Sequence, residues 1–73
     1  MTVLDLNVGE SARIDNVAAI GAAAERLRAL GFVRGRVITV LGYSLFKSSV
    51  LLSCGSVRLA ARRNLAQMIG VRV

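Results

Sequence analysis

The 73-residue chain has no histidine, no proline and no tryptophan, and only one cysteine, one tyrosine and two phenylalanines. Each shortage excludes something. Without histidine, general acid–base work would need carboxylate pairs held in tuned environments. The only carboxylates are Asp5, Glu10, Asp15 and Glu25, scattered over unlike segments, with none beyond position 25. They read as solvated surface acids. One thiol and no imidazole also leave no set of ligands for a transition metal, so a metal-binding chaperone is disfavoured. A lone Cys54 forms no internal disulfide, which points to a reducing compartment. Long apolar runs are missing too: the longest uncharged stretches, Val37 to Phe46 and Ser48 to Val57, are about half the length of a helical membrane span. Asp5 and Glu10 interrupt the N-terminus, which does not read as a signal peptide.

What is present is apolar and basic. Hydrophobic residues make up 55% of the chain, too many for a disordered segment, and the length allows one small domain, residues 1–73. Residues 1–25 carry all four acids and only Arg13, a net −3. Residues 26–73 carry the other nine basic residues and no acid, a net +9. A nucleic acid, an anionic membrane surface or an acidic protein would each answer that polarity. Base stacking by small barrels needs free aromatics. Phe32, Tyr43 and Phe46 are too few to favour nucleic acid.

The pattern along the chain is that of short elements. Leu4 and Leu6 lead to a turn at Gly9-Glu10, and Ala12 to Val17 then alternates apolar and polar as a half-buried strand does. Helix formers gather from Gly21 to Leu30, with Ala23, Leu27 and Leu30 on one stripe. Gly31 is placed to cap that helix in the left-handed conformation, with Phe32 folding back onto the last turn. After a turn at Gly35, Val37 to Leu41 is a β-branched strand, apolar on both faces and therefore expected to be covered on both sides. Gly42 to Ser49 reads as a loop or irregular strand end.

Gly55-Ser56 is a two-residue hairpin turn with glycine first. It pairs Cys54 with Val57, Leu52 with Leu59 and Val50 with Ala61 on an apolar face. Ser53 with Arg58 and Leu51 with Ala60 fall on the other, and Arg58 and Arg62 point away from the core. A one-residue slip would expose the entire apolar set, so the register is specified. Asn64 is positioned to cap one helical turn at about residues 64–67, and Met68 to Val73 closes the chain as a strand. Five short strands, one helix at about 21–30 and one helical turn favour a mainly β fold, a small curled barrel.

These residues also form a recognisable set. Leu27-x-x-Leu30-Gly31-Phe32-x-x-Gly35-x-x-Ile38-x-Val40, followed by Leu59-x-x-Arg62-x-x-x-Ala66-x-x-Ile69-x-Val71, resembles the FeoA domain. Leu4, Gly9, Glu10 and Ile14 extend the likeness to the start of the chain. The chain departs from the family in lacking prolines near Arg34, Leu45 and Ser49, and in having Ala61 where leucine is usual. The resemblance implies a five-stranded SH3-like barrel that holds no cofactor and is not an enzyme. It further implies a cytoplasmic adaptor of ferrous iron uptake that docks on FeoB, a GTP-binding membrane transporter, from its cytoplasmic G-domain side, with the anionic inner leaflet as a second surface. The docking residues expected are Arg34, Arg36, Tyr43, Leu45, Phe46 and Lys47. The alternative is a small basic barrel that binds nucleic acid, or a stand-alone relative of the SH3-like domain of iron-dependent repressors.

Overall fold

A computed structural model describes residues 1–73. It contains β1 (Ser11–Val17), α1 (Gly21–Ala29), β2 (Val37–Tyr43), β3 (Ser49–Cys54), β4 (Val57–Arg62), α2 (Arg63–Ala66) and β5 (Ile69–Arg72). Two short 3-10 turns, Val3–Asp5 and Leu45–Lys47, complete it. All five strands join one antiparallel sheet in the order β4-β3-β2-β1-β5. The sheet curls over a single core of sixteen buried residues, all apolar, from every strand, both helices and the first 3-10 turn. This is the small barrel that the spacing of turns favours.

The hairpin register is the one that the alternation dictates: Cys54 with Val57, Ser53 with Arg58, Leu52 with Leu59, Leu51 with Ala60 and Val50 with Ala61. Gly55 takes φ 62° in the turn between them, a value that suits glycine. Helix α1 stops as its sequence demands. Gly31, at φ 92°, donates to the Arg28 carbonyl and Phe32 N donates to the Leu27 carbonyl, a Schellman stop. Phe32 is then buried under the helix.

Four details differ from the sequence reading. Strand β2 is covered on one face only: Ile38 and Val40 are buried, whereas Val37 and Leu41 lie exposed on the outside. The β-branched Val37 suits a pleated strand, and single exposed apolar side chains need no cover. On α1, Ala23 is exposed and Ala24 packs against the core beside Leu27 and Leu30. Asn64 does not cap α2. Arg62 is the extended residue before it, because Arg63 N already donates to the Ser48 carbonyl, and the Asn64 carboxamide accepts from Leu65 N inside the turn. Finally, β2 runs on to Tyr43 and the connection to β3 shrinks to a tight turn at Leu45–Lys47.

Register shifts in β1 near Asp15 and in β2 near Leu41 tighten the curl. The first also explains why the inward residues of β1 run 12, 14 and then 17. At the N-terminus, Thr2 and Asp5 form a reciprocal capping box that drives Val3 into the core.

Candidate docking site

The six expected docking residues do not form one patch. Tyr43, Leu45, Phe46 and Lys47 lie at or beyond the C-terminal end of β2, and Arg34 and Arg36 precede its N-terminal end. Six residues of extended chain, 37–42, separate the two groups, about 20 Å at the usual strand rise.

At the arginine end, Arg36 has a packing role. Its guanidinium lies against the helix stop at Gly31 and the hairpin turn at Gly55, where an added Cβ would meet its nitrogens at 3.9 and 2.9 Å. A cation there complements the negative end of α1. Arg34 is exposed, and Gly35 between them is fixed through its carbonyl by Arg13 Nη1 at 2.9 Å.

The other end is a braced tip. Tyr43 turns its ring toward the N-terminal turn, where its hydroxyl donates to the Leu6 carbonyl at 2.5 Å, with the Val3 and Leu4 carbonyls also in reach. Burial pushes the Tyr43 hydroxyl above its ordinary pKa, and the carboxylates of Asp5 and Glu10 add to the shift. Lys47 Nζ lies 4.6 Å from the centre of the Tyr43 ring, a cation–π contact. Serines then close the loop. Ser44 Oγ accepts from Ser49 N at 2.8 Å and meets Ser48 Oγ at 2.9 Å, while Ser44 N donates to the Ser49 carbonyl at 3.0 Å.

That closure forces Phe46 and Lys47 into the left-handed region, at φ 61° and 55°. Bulky side chains rarely sit there, and such strain persists only where the surroundings over-determine it. Its result is outward presentation: Leu45 is 79% and Phe46 85% exposed. Neither side chain belongs to the core. The clamp was missed from sequence, although Ser44 and Ser48-Ser49 bracket the apolar pair, a signal that hydroxyl-to-backbone bonds can use.

Chemistry beyond docking finds few materials here. No group of three or more His, Cys, Asp or Glu side chains is assembled to hold a metal ion. Cys54 is buried with its Sγ 3.5 Å from the Gly31 carbonyl, where a thiol behaves as a small apolar group. No helix is long and apolar enough to cross a membrane.

The FeoA domain model matches residues 1–73, the whole chain. The chain belongs to the FeoA domain family. Solved FeoA structures superpose closely on it. The FeoA protein of Chlorobium tepidum is 34% identical with a TM-score of 0.92, over 100% of this chain and 70% of that one. The FeoA of Stenotrophomonas maltophilia, solved with zinc, is 30% identical with a TM-score of 0.87, over 99% of this chain and 89% of that one. That protein is described as a prokaryotic SH3 domain protein and a candidate ferrous iron transport activating factor. Iron(II) transport protein A of Clostridium thermocellum is 27% identical with a TM-score of 0.90, and this chain spans 45% of its length. No curated protein matches the chain. The barrel is therefore the SH3-like fold of FeoA domains, reached here by a chain that contains no proline.

Proposed function

We propose that this FeoA domain is a non-catalytic, cytoplasmic accessory protein of ferrous iron uptake that acts by binding a FeoB-type transporter on its cytoplasmic G-domain side. The observation that carries this reading is the braced tip. Leu45 and Phe46 are held out in water, at a cost in backbone strain, by a clamp of serine hydrogen bonds. Exposed aromatic and aliphatic anchors on a rigid base are what interface hot spots require. Membership of a family whose S. maltophilia member is described as a candidate activating factor for ferrous transport supplies the pathway.

In this reading Leu45 and Phe46 are the anchors. Tyr43 and Lys47 fix the base of the tip, and the net positive charge of the chain steers it toward an acidic protein surface. Arg34 and Arg36 lie at the far end of β2 and serve at most a separate contact.

Ferrous iron uptake at low external iron tests the reading in a strain that lacks the chain but has a working transporter. Uptake falls in the deletion strain, returns with the wild-type chain and does not return with the Leu45→Ser, Phe46→Ser double variant. Full uptake without the chain would refute an accessory role, and full rescue by the double variant would refute the tip.

A further inference from the structure

The sheet leaves an open edge at β4, which pairs with β3 alone. The bond from Arg63 N to the Ser48 carbonyl fixes the alternation along that ladder. Val57, Leu59 and Ala61 turn their backbone groups toward β3, and Arg58, Ala60 and Arg62 turn theirs outward. Three residues thus present a row of donors and acceptors with the repeat of an extended chain.

A cleft of about 360 Å³ runs beside this row. Ala22, Ala23 and Leu27 of α1 form one wall, and Leu59, Ala60 and Ala61 of β4 form the other. Residues of both parities line the strand side, so the cleft follows the edge itself and not one face of the sheet. It is apolar at its floor and basic at its rim, where Arg26 and Arg62 stand. Glu25 is exposed and, at helical spacing, lies on the side of α1 opposite Leu27. No acid is present in residues 26–73.

We propose that this edge is a second docking site, which takes an extended segment of a partner protein with alternating acidic and apolar residues as a sixth strand beside β4. The outward N–H and C=O groups of Arg58, Ala60 and Arg62 bond the incoming backbone, as in other strand additions. Alternate side chains of the segment drop into the cleft against Leu27 and Leu59. Those between them lie on the outer face beside Arg58 and Arg62, where carboxylates pair favourably across strands. A second copy of this chain is a poor occupant, since two β4 edges would set Arg58 and Arg62 against their own counterparts. The Arg62 end of the site adjoins Ser48 and Ser49 at the base of the Leu45–Phe46 tip, but the proposal does not depend on the transporter reading.

The probe is a blocked octapeptide of alternating Glu and Val, titrated into the isotope-labelled full-length chain at low salt and followed by amide NMR. The control is its block isomer, four Glu followed by four Val. The alternating peptide shifts the amides of Arg58, Ala60 and Arg62 and slows their exchange with solvent, and the block isomer binds at least about tenfold more weakly. Ala60→Pro removes one outward N–H at a position where an edge strand tolerates proline. It lowers peptide affinity by roughly tenfold or more while the β3–β4 hydrogen-bond pattern persists. Arg62→Glu, which leaves the backbone untouched, weakens binding at low salt and flattens its salt dependence.

Absence of shifts along β4, or equal binding of the block isomer, would overturn the proposal. So would an unchanged affinity in Arg62→Glu. Concentration-dependent shifts at β4 without peptide would overturn it in favour of self-association.

Discussion

Replacing Phe46 by glycine separates what the tip does for the fold from what it does for a partner. At φ 61° a bulky residue carries roughly 1–2 kcal/mol of backbone strain, which glycine removes. Glycine also loosens the unfolded chain, a loss of about 0.5–1 kcal/mol. With 85% of the residue exposed, the buried part is roughly 30 Å² of an aromatic residue of about 200 Å². At about 25 cal/mol per Å² that burial contributes about 0.8 kcal/mol. The terms nearly cancel, so Phe46→Gly should change unfolding free energy by less than about 1 kcal/mol. Urea denaturation followed by circular dichroism measures this directly. Binding to the transporter should fall roughly thirtyfold, the loss expected of a hot-spot aromatic. Destabilisation beyond about 2 kcal/mol would mean that Phe46 packs into the structure, and unaltered binding would mean that the exposed ring is not the contact.

Three further outcomes test the scaffold. Phe32→Ala, at the buried helix stop, should cost about 3–5 kcal/mol in the same urea assay, in contrast to the near-neutral change at Phe46. Gly55→Ala should cost about 1 kcal/mol, because alanine at φ 62° is strained in the hairpin turn, while the long Arg36 side chain moves aside; an unchanged midpoint would contradict the turn assignment. Tyr43 titrates above its ordinary value of 10.0, so above that pH the unfolded chain gives up its phenol proton before the folded chain does. Stability should therefore decline as pH rises beyond about 10, and the part due to Tyr43 should vanish in Tyr43→Phe. That variant should also lose about 1 kcal/mol at neutral pH, through the hydrogen bond to the Leu6 carbonyl.

The β3–β4 hairpin was legible because two independent signals agree on it: a turn that needs glycine first and an alternation that fails if slipped by one residue. The stop of α1 was legible for the same reason, with Gly31 and Phe32 both required by one motif. The register shifts near Asp15 and Leu41 were not, since a bulge adds a residue without a fixed residue type to announce it. The Thr2–Asp5 capping box follows a known spacing and was overlooked. At the candidate site, the apolar pair Leu45–Phe46 was visible, but its outward presentation depends on serine bonds across the loop. Those bonds set the backbone angles, which composition does not encode. Grouping Arg34 and Arg36 with the tip overlooked the length of β2.

The central claim, that the tip docks on a ferrous transporter, is tested most directly by titrating the purified chain against the soluble cytoplasmic G-domain of the cognate FeoB-type transporter in a calorimeter at physiological salt. The account predicts saturable binding to one site, lowered by more than about thirtyfold by Leu45→Ser with Phe46→Ser and little changed by Arg34→Ala. No heat of binding at high micromolar concentrations, or binding that survives loss of both tip residues, would contradict it.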